Sequence, residues 1–266
     1  MIDLHCHVLP GIDDGPDTIE GSVELARAAA KAGTDTLVAT PHVSVRYPNE
    51  HGAIARLVEQ LSQRLRSDGV DLEVREGAEI AITRLVDMKA DELAMLGLGG
   101  GPWLLVESPF VPSLSGLDRV LADLQERGHR VVLAHPERSA AFQRDPQLLE
   151  RLVGGGALAS ITAGSLTGRF GSTVRRFASQ LVEAELVHNV ASDAHDCDQR
   201  TPELAAHLHR SGLSPLLEWL TNDVPGSILR GEDEIPARPA TAVPLGMRAP
   251  RQWWRRGPLR RASLQR

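Results

Sequence analysis

Two histidines one residue apart, in Asp3-Leu4-His5-Cys6-His7, stand at the start of the chain. On an extended strand alternate side chains share a face, so His5 and His7 point together while Cys6 points away, a pincer for one metal ion. An H-x-H pair alone is a modest signal. It gains weight because further nitrogen and oxygen donors recur along the chain: Asp14, His42, Glu79, Glu107, His135, Asp193 and His195. A catalytic ion commonly takes about three protein ligands, so this set implies two or three divalent ions. Imidazole mixed with carboxylate, with no thiolate needed, suits Mn, Fe, Zn or Co. The plainer reading, a polar rim without metal, would gather carboxylates at a severe electrostatic cost.

The elements that must position these donors can be read from the apolar runs. Strands are expected at Ile2 to Cys6, 36–39, 72–74, 103–106, 131–133, 157–161 and 186–190, and all but the sixth are followed by a donor or a loop that carries one. Helical periodicity is expected from near Asp17, where Asp17-x-x-Glu20 resembles a capping box, to Gly33. Further helices are expected over 52–67, from Leu117 to Leu124, around Leu148 to Val153, and over 172–185, 202–211 and 214–222, with a short helix or irregular crossover at 83–96. Seven strand-then-helix units predict an α/β chain whose parallel sheet closes into a barrel, which puts every strand's C-terminal end on one rim.

Composition is ordinary for a soluble globular protein: 266 residues, 42% hydrophobic and 24% charged. No apolar run is long enough to span a bilayer and no signal-peptide pattern is present, so a cytoplasmic location is expected. Cys6 and Cys197 are too few for a disulfide framework, and both are expected to be buried small hydrophobes. A cysteine-dependent phosphatase needs an arginine six positions after its cysteine; Ile12 and Glu203 occupy those places. All 35 acidic residues precede Ala237, while the last thirty residues carry eight arginines. The domain is therefore placed at 1–236, and 237–266 is read as an Arg/Pro-rich, disordered tail whose Trp253-Trp254 and arginines offer contact with an anionic surface.

Seven stretches then coincide in order: Asp3 to His7 with Leu9-Pro10-Gly11-Ile12-Asp13-Asp14-Gly15, Thr40-Pro41-His42, Gly77-Ala78-Glu79-Ile80, Val106-Glu107, Ala134 to Arg138, Ala163 to Gly171, and Ser192 to His195. They resemble the PHP (polymerase and histidinol phosphatase) superfamily, and within it the bacterial CpsB/YwqE-type tyrosine-protein phosphatases of capsule and exopolysaccharide synthesis. The resemblance implies a distorted (β/α)7 barrel and manganese-dependent hydrolysis of phosphotyrosine by water, without a phosphoenzyme. It implies one ion at His5, His7, Glu79 and Asp193, a second at Glu79, Glu107 and His135, and a third at Asp14, His42 and His195. Arg138 and Arg200 match the phosphate-binding arginines, with pairing to a carboxylate such as Glu137 as the alternative. The implied partner is a tyrosine-phosphorylated bacterial autokinase; no nucleic acid is expected, and self-association is left open. The competing functions are hydrolysis of a small metabolite such as histidinol phosphate, and a non-catalytic metal-binding regulatory module. Arg46 and Tyr47, in the loop after His42, are read as solvated, with flanking of a substrate ring as the alternative. Arg169, in the Gly168-x-Phe170-Gly171 loop, is a candidate to reach phosphate, while Gly164 and Gly171 are expected to serve backbone conformation. His51, His129, His188, His207 and His209 match no ligand position and are expected on the surface or on helices.

Overall fold

The computed structural model describes residues 1–85, 87–107 and 116–240. The apolar runs form strands β1 (Ile2–Cys6), β2 (Thr36–Ala39), β3 (His42–Val43), β4 (Glu73–Glu76), β5 (Glu79–Ala81), β6 (Trp103–Glu107), β7 (Arg130–Ala134), β8 (Leu158–Thr162) and β9 (Asn189–Ala191). All pair in parallel, as a three-stranded sheet β1-β2-β4 and a six-stranded sheet β3-β5-β6-β7-β8-β9. Helices run between them: α1 (Ile19–Lys31), α2 (His51–Ser67), α3 (Ile82–Leu85), α4 (Ala90–Met95), α5 (Leu117–Glu126), α6 (Ala140–Arg144), α7 (Pro146–Gly154), α8 (Ala163–Thr167), α9 (Ser172–Glu183), α10 (Leu204–Arg210) and α11 (Val224–Leu229). Each longer helix lays an apolar stripe on the sheets: Ile54, Val58, Leu61 and Leu65 from α2, and Leu117, Leu121 and Leu124 from α5.

The expected second and third strands are each broken in two. Pro41 has no N–H to donate between β2 and β3, and its carbonyl instead accepts the Glu79 N–H at 3.1 Å. Between β4 and β5, Gly77 passes so close to Val38 that an added Cβ would lie 2.7 Å from Val38 Cγ1. The jog starts a new register that sets His42 directly beside Glu79.

At the other end, the segment after β9 bonds back to β1. Asp193 N–H donates to His5 O at 2.8 Å, and His7 N–H donates to Ala194 O at 2.9 Å. The buried Asp3 carboxylate strengthens this seam by accepting the N–H groups of Ser192 at 3.0 Å and His5 at 3.3 Å.

Other departures have local causes. The cap of α1 is Thr18, whose hydroxyl accepts the Gly21 N–H at 3.2 Å, so the helix starts at Ile19 and not at Asp17. The expected helix 214–222 is a short 3-10 turn and a π turn that lead into α11, whose Pro225 is tolerated in the first turn. Cys197 is exposed, contrary to expectation, whereas Cys6 is buried. His129 is buried off any helix, whereas His207, though buried, lies on α10 as expected. The start of the expected tail lies on the body: Arg238 donates to Val182 O at 2.9 Å. Residues 241–266, with Trp253-Trp254, lie outside the described residues. Among the described residues no helix is long and apolar enough to cross a membrane.

His188 is a partly buried group with a pH signature. Its Nδ1 accepts the Ala159 N–H at 3.2 Å, and burial, helped by the Arg238 charge, pushes its pKa down to about 4. The unfolded chain, with an ordinary histidine near 6.5, binds the proton first as pH falls. Stability from this site is therefore complete above about pH 6.5 and is lost as pH falls toward 4, a loss of about 3 kcal/mol. Urea titrations at pH 7 and 4.5 should show a smaller acid loss in His188→Asn, which keeps an acceptor but does not titrate; an equal loss would reject the assignment.

Candidate metal centre

Strand ends deliver the donors to one place. β1 supplies His5 and His7, whose Nε2 atoms lie 3.1 Å apart. β3 begins with His42 and β5 with Glu79, Glu107 ends β6, and His135 follows β7. Asp193 and His195 follow β9, and Asp14 comes from the loop after β1. All nine residues fall into four overlapping groups whose donor atoms lie within 4.8 Å of one another: His7, Asp14, His42 and His195; His5, His7 and Asp193; His5, Glu79 and His135; His42, Glu79 and Glu107. The partition differs in detail from the three sets implied by resemblance, because Glu107 groups here with His42, and His7 also joins the Asp14 set.

Glu79 is the hub. Its Oε1 lies 2.8 Å from His135 Nε2, and its Oε2 lies 2.9 Å from His42 Nδ1 and 3.4 Å from both His5 and His7 Nε2. Burial alone would raise its pKa, but the surrounding imidazoles, His5 and His135 foremost, hold the carboxyl well below the usual range. Glu107 is the opposite case: burial, then the Glu79 charge, pushes it up to about 7. His7 is buried, which disfavours its charge, yet Asp13 and Glu79 raise it to about 10.

Asp13 is the functional residue that sequence reasoning overlooked. Its Oδ2 lies 2.7 Å from His7 Nδ1 and accepts the His42 N–H at 3.0 Å, while its Oδ1 accepts the Gly15 N–H at 3.0 Å. It thereby fixes the tautomer and the aim of one donor and the backbone of another. Gly15 lets the turn close, since a Cβ there would lie 2.2 Å from His7 O. The position of Asp13 inside the Asp13-Asp14 pair was the available signal.

The two arginines converge on one oxygen. Arg138 Nη1 lies 2.6 Å and Arg200 Nη2 2.5 Å from Asp193 Oδ2, while Asp193 Oδ1 faces His5 at 3.4 Å and His7 at 3.6 Å. Burial opposes charge on Asp193, but His5, Arg200, His135 and Arg138 hold its carboxyl far below the usual range. Pairing to a carboxylate, the alternative to phosphate binding, is thus what both arginines show here, with Asp193 as the partner. Glu137 is buried and takes up Thr162 N–H at 3.0 Å and Ser165 O–H at 2.6 Å. Arg200 is carried by a loop wrapped on Asp196, whose Oδ1 accepts the N–H groups of Asp198, Gln199 and Arg200. His135 and Asp193 both hold positive φ, 32° and 52°, a costly conformation for side-chain-bearing residues. Gly171 has the positive φ expected of it, but Gly164 does not; its missing side chain makes room for Arg169, whose Cδ would lie 3.0 Å from an added Cβ.

The donor set fits divalent cations. It offers five imidazoles and four carboxylates, no thiolate, and a buried Glu79 Oε2 without an aligned hydrogen-bond donor. The buried thiol of Cys6 points away toward Ala194 O, and burial, then the charges of Asp3 and Asp193, hold its pKa well above the ordinary value. A thiolate nucleophile is thereby disfavoured.

Residues 1–211 match the family described as "Capsular polysaccharide synthesis, CpsB/CapC". Tyrosine-protein phosphatase YwqE of Bacillus subtilis (strain 168) is 41% identical over 201 residues, covering 75% of this chain and 79% of that protein. Tyrosine-protein phosphatase CpsB of Streptococcus pneumoniae is 27% identical over 208 residues, covering 76% and 86%. A solved structure described as "YwqE from Bacillus subtilis and CpsB from Streptococcus pneumoniae, unique metal-dependent tyrosine phosphatases" aligns at a TM-score of 0.79 and 36% identity, covering 91% of this chain and 100% of that one. With the family match running from β1 through the last donor strand and into α10, the chain belongs to the CpsB/CapC family of capsular polysaccharide synthesis.

Proposed function

We propose that this chain is a metal-dependent phosphotyrosine-protein phosphatase that acts on a tyrosine-phosphorylated autokinase controlling capsule or exopolysaccharide synthesis. The observation that carries the reading is the junction at Asp193, where a nine-residue donor cluster meets two guanidinium groups on a single carboxylate. The catalytic unit is assigned to residues 1–236, and its two parallel sheets are read as one distorted (β/α)7 barrel whose second and third strands are broken. His5, His7, Asp14, His42, Glu79, Glu107, His135, Asp193 and His195 would hold two or three divalent ions, for which Mn²⁺ is the proposed species and Fe, Zn or Co the alternatives. Bound ions supply Lewis-acid polarisation of phosphoryl oxygens and water acidic enough to attack phosphorus at neutral pH.

The protein's own part is positioning. Arg138 and Arg200 are planar forks suited to bidentate phosphate recognition, held by Asp193 until a phosphoryl group competes for them. A phenolate leaving group, with a conjugate-acid pKa of about 10, departs without a strong protein acid. The more exposed side chains, Asp14 at 44% and His42 and Glu107 at 17%, mark the open side of a cluster whose His5, His7, Glu79 and Asp193 are buried. An opening of this kind favours a protein segment over an enclosed metabolite.

Mn²⁺-loaded protein assayed in parallel on a phosphotyrosine peptide, a phosphoserine peptide and histidinol phosphate should hydrolyse the first by a wide margin. Preference for histidinol phosphate would establish the metabolite reading, and no turnover with any of the four metals would favour a binding module.

A further inference from the structure

The chain is poor in aromatic rings, with one tyrosine, four phenylalanines and four tryptophans in 266 residues. Even so, two of those nine stand against the charged groups of the centre. The Tyr47 ring is stacked on the His42 imidazole, 10° from parallel with centroids 5.6 Å apart. Phe170 lies beneath the Arg138 guanidinium, 4.5 Å from its ring centroid. The two approach from strand ends near the two edges of the six-stranded sheet, Tyr47 just after β3 and Phe170 just after β8 and α8.

We propose that Tyr47 and Phe170 are specificity-determining residues that select an aryl over an alkyl phosphate ester; the proposal rests on the phosphatase reading above. The physical reason is what each ring is tied to. A phosphoryl group held by Arg138 brings the ester's carbon substituent up beside Phe170, because that ring lies against the same guanidinium. Phe170 also lines a small cavity with Asp193, Arg169 and Arg200, so it borders the place where phosphate is received. Tyr47 is fixed in the same way by a donor histidine. The backbone of its turn is closed by Ser44 N–H donating to Tyr47 O at 2.8 Å and Tyr47 N–H donating to Ser44 Oγ at 3.1 Å. Arg46 lies over the Tyr47 ring at 5.0 Å and the His42 imidazole stacks against it, so the ring is held in place and an arriving ring packs on its remaining surface in the offset or T-shaped arrangement that aromatic pairs favour. A phosphoserine side chain has no ring to place there.

The test compares wild type with Tyr47→Leu, Phe170→Leu and Tyr47→Phe on phenyl phosphate and glycerol phosphate, with metal content measured for each. Each leucine variant should lose about fivefold to tenfold in kcat/KM on the aryl ester and little on the alkyl ester, while Tyr47→Phe keeps the wild-type ratio. Calorimetry with phenylphosphonate and methylphosphonate gives a readout independent of turnover: the preference for the aryl ligand should shrink by a similar factor in the leucine variants. An unchanged aryl-to-alkyl ratio in both experiments, or an equal loss on both esters, overturns the proposal while leaving the phosphatase reading intact. Failure of the wild type to hydrolyse either ester or a phosphotyrosine peptide overturns both.

Discussion

Replacing Glu79 with glutamine is expected to lower kcat/KM on a phosphotyrosine peptide by about a thousandfold or more, some 4 kcal/mol of transition-state stabilisation. The substitution keeps the shape and removes the charge. One carboxylate here touches His5, His7, His42 and His135, four of the five imidazoles in the cluster. An amide in its place turns a donor N–H₂ toward ring nitrogens that must offer lone pairs, and it leaves a bound cation undercompensated. Metal content by elemental analysis should therefore fall together with activity, while far-UV circular dichroism stays native. Full metal content with wild-type turnover would remove Glu79 from the hub of the centre.

The second large effect separates phosphate binding from metal binding. Arg138→Ala and Arg200→Ala should each lower kcat/KM by about a hundredfold to a thousandfold if, as proposed, each makes charge-assisted bonds to the phosphoryl oxygens. Metal content should stay near wild type, since neither residue is a donor. Both guanidiniums meet the same Asp193 Oδ2, so the double variant should lose less than the product of the two single losses. Arg200 also reaches His195 Nε2 at 2.9 Å. Lysine at either position restores charge but not the fork, and only part of the activity should return. A drop in bound metal as large as the drop in rate would make the arginines structural props of the cluster.

The convergence of the nine proposed donors was legible because their positions follow from the periodicity of strands: a polar residue that ends an apolar run has one place to go in a parallel sheet. His5, Glu107 and His135 are of this kind. Asp13 was not, since its role is a side-chain bond to His7 Nδ1 formed only when the loop turns back over Gly15. The broken second and third strands were hidden for a related reason. Pro41 and Gly77 look like ordinary strand ends, and only the register of β3 on β5 reveals that they restart the sheet. Positive φ at His135 and Asp193 leaves no trace in composition, because neither is a glycine. Cys197 is exposed on a local turn closed by Asp196 and is flanked by Asp196, Asp198, Gln199 and Arg200, a polar context that the residue type alone does not show.

The bond from Ser192 N–H to the Asp3 carboxylate spans 189 residues. At typical rates of translation, that separation corresponds to roughly ten to forty seconds between synthesis of the first two donors and arrival of the segment that bonds to them. For that interval the nascent β1 has His5, Cys6 and His7 without their distant partners, and the thiol that is sealed in the finished protein has yet to be covered. Premature metal capture and oxidation are hazards of this window, while β1 still awaits the segment that follows β9.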